Sequence, residues 1–186
     1  LPRIQKNPDL KTLQGPELRT ILLGLDQHRD EAPYMWDKAG NPLKKNPFKD
    51  LRVRQAVSHA IDVDTIIKRV MRGYGVASGI ASIPGMNGYF KDLDVRPKYD
   101  TDKAKKLLAD AGYPDGFDTS IYYRDVFRVY LPEPGLVAVD IQDQLAENLG
   151  INAEVVVMES GEFIAESTDG RLDGIHLLGW GADYPH

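Results

Sequence analysis

Residues near the carboxyl end of the chain combine a carboxylate with two aromatic rings. Trp180, Asp183 and Tyr184 follow an apolar run, Gly174–Leu178, that is typical of a buried strand. In open α/β sheets, ligands bind in the crevice beyond the carboxyl ends of the strands, where a carboxylate could hold a cationic group. An aspartate at a strand end is also commonly a turn residue or a helix N-cap. From the residues alone, Asp183 can therefore be either a ligand-binding carboxylate or a turn or cap residue.

A second group that could bind a ligand consists of Arg128 and Tyr130, which lie between a predicted strand, Asp118–Tyr123, and a predicted helix, Leu136–Asn148. A guanidinium fork can bond both oxygens of a carboxylate at once, so an arginine at this strand end could hold an acidic ligand group. Arg124 could do the same. An exposed loop arginine without a ligand is the alternative interpretation.

The histidines are not spaced as metal ligands. His28, His59, His176 and His186 share no i,i+3 or i,i+4 spacing, and no acidic residue completes a known motif. We interpret His59 as a helix-surface or core residue. His176 lies in the last predicted strand, close before Trp180, and is a candidate pocket residue rather than a ligand for bare metal. The sequence predicts neither a metal nor a cofactor.

Bulk composition argues against several other classes of protein. The chain has 186 residues, a formal net charge of −5 and no cysteine, and its pI is about 5.4. The acidic balance argues against a nucleic-acid partner, and the lack of cysteine excludes disulfides and thiolate chemistry. No apolar run approaches the ~20 residues that a membrane helix needs. The chain opens on Leu1-Pro2-Arg3 without an initiator Met or signal peptide, so we expect an excised piece of a longer protein.

Strands and helices are predicted to alternate along most of the chain, which indicates an α/β layer structure with a partly parallel sheet. The elements follow the order β-α-α-α-β-α-β-α-β. The predicted ranges are strand 19–25, helices 51–61, 63–71 and 102–111, strand 118–123, helix 136–148, strand 151–158, helix 161–167 and strand 174–178. Because they are rich in Pro and Gly, residues 26–49 and 73–98 are predicted to lack regular structure of any length.

Capping residues mark the helix ends. Asp50, Asp62 and either Asp100 or Thr101 are predicted N-caps. Glycines end three of the predicted helices, at positions 73, 112 and 150.

Three blocks of sequence resemble those of the family 5 bacterial solute-binding proteins. Residues 47–62, PFKDLRVRQAVSHAID, are similar to that family's PF-x-D-x-R-V-R signature. Residues 99–117 hold a YD, a KAKKLL helix and an AGYPDGF turn that resemble a second block, and residues 178–185, LGWGADYP, resemble a third. The blocks occur in the family's order and cover nearly the whole chain from Arg19 onward. We interpret the second block as structural and the third as part of a pocket.

The resemblance implies a fold and a domain organisation. It implies an α/β lobe with a mixed sheet flanked by helices, in a periplasmic-binding-protein type II receptor that encloses its solute between two lobes. Residues 1–186 would form the inserted second lobe, with 1–18 and 184–186 near the crossings between lobes. The missing first lobe would carry the other half of the pocket. An isolated lobe is therefore expected to fold but to bind weakly.

Roles for individual residues follow from the same resemblance. In peptide-binding members the aspartate that matches Asp183 pairs with the ligand's α-ammonium group. An Arg-x-Tyr motif, matched here by Arg128 and Tyr130, clamps the ligand's carboxylate. Counted back from Gly150, the motif sits one residue early, so Arg124 remains a rival. The predicted ligand-binding set is Asp183, Trp180, Arg128, Tyr130, Tyr184 and His176.

The function implied is that of the substrate-binding component of an ABC importer. Its partners would be a peptide or similar small solute, the missing lobe and the membrane permease. The protein would be a monomer, periplasmic or anchored to the cell surface as a lipoprotein. Alternatives are a ligand-sensing module of a regulatory protein, or a receptor for nickel complexes or oligosaccharides. An enzyme is disfavoured because the chain has no G-x-S-x-G, H-E-x-x-H, P-loop or G-x-G-x-x-G motif.

Overall fold

Four strands and five α-helices form the described part of the chain, in the predicted order. The computed structural model describes residues 4, 6–13, 15 and 17–181. The strands are β1 (Arg19–Leu25), β2 (Asp118–Arg124), β3 (Asn152–Met158) and β4 (Ile175–Gly181). The helices are α1 (Leu51–Ala60), α2 (Val63–Arg69), α3 (Thr101–Asp110), α4 (Pro134–Leu149) and α5 (Ser160–Thr168), with single 3₁₀ turns at Pro47–Lys49 and Lys91–Leu93.

The strands form one mixed sheet in the order β1-β4-β2-β3, which confirms the predicted fold class. Strand β2 pairs in parallel with β3 and with β4, whereas β1 runs antiparallel to β4. The carboxyl ends of β2, β3 and β4 therefore meet at one edge of the sheet. The amino end of β1 arrives at the same edge, because Arg19 pairs with Gly181.

The main hydrophobic core lies on one face of the sheet. Helix α4 packs against β2 and β3, and α1 and α3 pack on α4 and on each other. Ile121, Ile175 and Leu177 are buried in this core. Because neighbouring strand residues point to opposite faces, His176 points away from it. There the His176 ring meets Phe163 of α5, with ring centroids 6.5 Å apart.

The predicted N-caps form, but the prediction that Gly73 ends α2 is wrong, because this helix ends at Arg69 with Val70 as its C-cap. Asp50, Asp62 and Asp100 each accept a backbone N–H from the first turn of the helix that follows. At the other end of α4, Gly150 adopts a left-handed conformation with φ +65°. Glycine tolerates this φ because it has no Cβ.

Aromatic packing joins two of the sequence blocks that resemble the solute-binding family. Phe117 is fully buried. Its ring lies 5.6 Å from that of Phe48 and 5.4 Å from that of Tyr113, both edge-to-face. A hydrogen bond also connects the two blocks, because the Arg52 guanidinium donates to the backbone carbonyl of Asp110 at the end of α3. These contacts join the two blocks near the start of β2, at the amino end of the parallel strands.

The two long irregular regions follow the prediction. Apart from turns and bends, residues 26–49 and 73–98 contain only the two 3₁₀ turns and two isolated bridges of Trp36, to Pro42 and to Asp118; no helix of three turns lies between 75 and 89. The first region is held by buried Asn46, whose side-chain amide donates to the carbonyls of Asp26 and Arg29. His59 is buried at the end of α1 and its Nδ1 lies 2.7 Å from the carbonyl oxygen of Lys98.

Within the described residues, no helix is long and apolar enough to cross a membrane. The same part of the chain contains no group of three or more His, Cys, Asp or Glu side chains placed to hold a metal ion.

A pair of glycines offers a test of this architecture. Gly112 and Gly116 both have positive φ, +97° and +79°. A Cβ at Gly116 would lie 2.3 Å from the carbonyl oxygen of Gly150, whereas a Cβ at Gly112 would meet open space. We expect Gly112→Ala to cost ~1 kcal/mol for the left-handed backbone alone. Gly116→Ala should cost about 2–3 kcal/mol, because the backbone must also move. Urea unfolding measures both, and equal losses would contradict the Gly116–Gly150 contact.

Candidate functional site

A cleft opens at the carboxyl edge of the sheet, where β2 and β4 end side by side. The cleft is shallow, and the roughly 280 Å³ of space between its walls includes open solvent at its mouth. The lining residues are Tyr123, Arg124, Val126, Arg128, Tyr130, Leu131, Pro134, Leu177 and Gly179. A wider and more open depression lies at the amino edge, between α3 and the end of α4. The carboxyl edge is where α/β sheets present ligand crevices, so we take the cleft there as the candidate site.

The loop between β2 and α4 is held at both ends. It leaves β2 at Arg124 and returns at Pro134, whose fixed φ suits the first position of α4. Leu131 is 6% exposed and anchors the loop in the core. The N–H of Leu131 donates to the carbonyl of Arg128 at 3.0 Å, which closes a tight turn. The loop therefore presents Arg128 and Tyr130 from a supported backbone.

The Tyr130 ring lies across the end of β4 because that strand carries glycines there. A Cβ at Gly179 would come within 2.5 Å of the ring, and one at Gly181 would come within 2.9 Å of the Arg19 guanidinium. With both positions free, the Arg19 guanidinium carbon lies 5.1 Å from the centroid of the Tyr130 ring. This distance is within the range of a cation–π interaction, which orients both side chains.

Arg19 lies beside the cleft, against Tyr130, and the sequence analysis did not single it out. It is the first residue of a strand at the other end of the chain, and no local motif contains it. Only the antiparallel pairing of β1 with β4 brings it beside Gly181. Pairing partners of this kind cannot be read from local residue spacing.

The two rival arginines have different surroundings. Arg124 donates to the hydroxyl of Ser160 at 3.0 Å, and its guanidinium carbon lies 5.9 Å from the centroid of the Phe163 ring. Burial, followed by repulsion from the Arg128 charge, holds the pKa of Arg124 below its ordinary value. Arg128 donates only a 3.3 Å bond to the carbonyl of Val126 in its own loop. Of the two guanidinium groups, that of Arg128 is the freer to bind a ligand carboxylate.

Trp180 and His176 lie on the other face of the sheet. They alternate along β4 with Leu177 and Gly179, which line the cleft. Trp180 is 57% exposed there. The His176 ring covers Gly24, and burial lowers its pKa. The structure therefore does not bring His176 to the cleft.

The remaining predicted site residues, Asp183 and Tyr184, lie outside the described residues, as does His186. The ligand-binding roles predicted for the site residues stay predictions.

Comparison with known proteins identifies the family. The sequence model of one protein family, described as bacterial extracellular solute-binding proteins, family 5 Middle, matches residues 1–186. The chain belongs to this family. The resemblance carried by the three sequence blocks is thereby confirmed.

Relatives of this family 5 chain bind different solutes, according to their names. The dipeptide-binding protein of Escherichia coli is 36% identical over 141 residues, which cover 76% of this chain and 26% of the relative. The heme-binding protein A of Haemophilus influenzae is 34% identical over 140 residues, covering 75% of this chain and 25% of the relative. The chain thus spans about a quarter of the length of these relatives.

A solved structure supports the fold of the family 5 chain over its full length. The dipeptide-binding protein from Pseudoalteromonas sp. SM9913, in complex with Met-Leu, aligns with a TM-score of 0.67 and 30% identity. The alignment covers 100% of this chain and 33% of that one.

The cleft of this family 5 chain has groups suited to holding a small anionic molecule. Arg128 offers a charge-assisted donor pair, and Tyr130 offers a phenol and a ring face. Leu131 and Leu177 provide an apolar floor. Such a mixture of apolar walls with a few directed polar groups is typical of small-molecule sites.

Proposed function

We propose that residues 1–186 form one lobe of a two-lobed receptor that captures peptides for an ABC importer. The observation that carries this proposal is the position of Arg128 and Tyr130 in a cleft at the carboxyl edge of β2 and β4. Family membership and the peptide-binding relatives support it. The solute would be enclosed when a second lobe, outside this chain, closes over the edge.

The proposed pose places the peptide's carboxylate on the Arg128 guanidinium and its ring or aliphatic parts against Tyr130. The α-ammonium group would pair with Asp183, as the sequence resemblance implies. A carboxylate at one end and a guanidinium at the other complement a zwitterion and disfavour solutes of uniform charge. Trp180, exposed beside the same edge, is available to the covering lobe or to the solute.

The same proposal includes the cellular setting. We propose a monomeric, extracytoplasmic protein that binds without catalysis and without a resident cofactor, and hands its solute to a membrane permease. The family's description as extracellular solute-binding proteins supports this setting.

Blocking the peptide's termini tests the proposed pose. In calorimetry with the ligand-free, full-length receptor, Ala-Ala is expected to bind about 10-fold or more tightly than either N-acetyl-Ala-Ala or Ala-Ala-amide. Each blocked peptide leaves one charged group of the site without its partner. Native mass spectrometry of the receptor as purified serves as the independent check on solute class. A co-purified oligosaccharide or metal chelate, together with no binding of Ala-Ala, would contradict the proposed function.

A further inference from the structure

Three arginines lie at or beside the cleft that Tyr130 lines: Arg19 from β1, and Arg124 and Arg128 from the end of β2 and the loop after it. Arg19 stacks on the ring from the amino end of β1. Arg124, at the end of β2, and Arg128, in the following loop, line the same cleft as the ring. One terminal carboxylate of a peptide needs only one guanidinium fork. The cleft therefore carries more positive charge than the proposed pose uses.

Local partners leave most of this charge unneutralised. Arg124 and Arg128 bond to a hydroxyl and to a backbone carbonyl, both uncharged. Neither forms an ion pair with any acidic side chain in the described residues. Among the described residues, the only ion-pair partner of Arg19 is Glu17, at 3.5 Å, and both side chains are more than 40% exposed. Solvent and salt screen such a pair strongly.

Acidic residues also flank the cluster in sequence without pairing with it. Asp125 follows Arg124 directly, and Glu133 precedes helix α4, but both side chains are exposed to solvent. Among the ion pairs of the described residues, none joins Asp125 or Glu133 to one of the three arginines. Repulsion from Arg128, after burial, contributes to the lowered pKa of Arg124. A second anionic group in the cleft would relieve this repulsion.

We propose that the arginine cluster makes the site selective for solutes with two carboxylates. This inference rests on the proposed peptide-binding function, and for a peptide it specifies an acidic residue at the carboxyl terminus. Arg128 takes the terminal carboxylate, while Arg124 and Arg19 attract the side-chain carboxylate. The carboxyl-terminal side chain is the one nearest the terminal carboxylate. When that carboxylate is bound to Arg128, this side chain is therefore the one that can reach the neighbouring guanidinium groups of Arg124 and Arg19.

The test compares dipeptides that differ only in side-chain charge. With the ligand-free, full-length receptor in calorimetry, Ala-Glu is expected to bind about 10-fold or more tightly than Ala-Gln, and Ala-Lys more weakly than both. The preference for Ala-Glu should shrink as salt rises, because the guanidinium groups are partly exposed. If Ala-Glu and Ala-Gln bind equally well, the cluster does not select acidic peptides, although the receptor still binds peptides. If no dipeptide binds, the proposed function itself fails.

Substitutions of Arg19 and Arg124 test whether the arginine cluster causes the selectivity for acidic peptides. Arg19→Gln and Arg124→Gln are each expected to reduce the ratio of Ala-Glu to Ala-Gln affinity by about 3-fold or more, with a smaller effect on Ala-Gln itself. Arg69→Gln makes the same charge change at an exposed site on α2 and should leave the ratio unchanged. Arg124→Lys keeps the positive charge and should retain part of the preference for Ala-Glu. This result would show that the effect of Arg124→Gln is due to the lost charge and not to misfolding. The proposal would be overturned if both Arg19→Gln and Arg124→Gln left the ratio of Ala-Glu to Ala-Gln affinity unchanged. It would also be overturned if they reduced this ratio no more than Arg69→Gln does.

Discussion

Replacing Phe117 with alanine is expected to lower the free energy of unfolding by about 3–5 kcal/mol, the usual cost of removing a buried aromatic side chain. Phe117 is fully buried and packs edge-to-face against Phe48 and Tyr113. Its loss would leave a cavity between the start of β2 and the turn before α1. It would also remove two aromatic contacts, each worth about 0.5–1.5 kcal/mol beyond the buried area.

Phe127→Ala is the matched control for this prediction. Phe127 is 73% exposed in the loop after β2, so its truncation should change stability by no more than about 0.5 kcal/mol. Urea unfolding of both variants, followed by circular dichroism, gives the comparison. Similar losses in the two variants would show that the aromatic cluster contributes little to the fold.

Replacing Arg128 with alanine in the full-length receptor is expected to weaken Ala-Ala binding by about 2–5 kcal/mol. This is the usual cost of removing one partner of an enclosed charge pair. In the described structure, the only hydrogen bond of the Arg128 side chain is to the carbonyl of Val126 in its own loop. The substitution therefore removes a ligand contact and few contacts that stabilise the lobe. Calorimetry measures the affinity, and an unchanged melting temperature of the ligand-free variant shows that the fold is intact.

Arg124→Ala separates the two rival arginines. Because the Arg124 guanidinium is already bonded to Ser160 and lies against Phe163, we expect a smaller loss of Ala-Ala affinity than for Arg128→Ala. A larger loss would indicate that Arg124, and not Arg128 of the Arg-x-Tyr motif, binds the terminal carboxylate of the peptide. A loss of stability in Arg124→Ala is expected in either case, because its packing against α5 is removed.

Several parts of the fold were determined by sequence within a few residues of each position. The caps Asp50, Asp62 and Asp100 accept N–H groups only two or three residues away. Hydrophobic periodicity likewise acts within one helix or strand, so the element order and most boundaries were predictable. The position of the Arg128–Tyr130 loop at the carboxyl edge of the sheet was predictable for a similar reason, because the loop directly follows a strand.

Tertiary structure alone decided which residues share the cleft. Strand β1 pairs with β4, although the chain between them runs from residue 26 to residue 174, and the antiparallel register places Arg19 beside Gly181. The roles of Gly179 and Gly181 became visible only with this pairing, since they leave space for side chains from distant elements. The face on which His176 lies depended on the register of β4, because a shift of one residue moves every side chain of a strand to the other face. Local hydrogen bonds and periodicity do not encode such pairings, whereas the packing of the whole core selects one register among them.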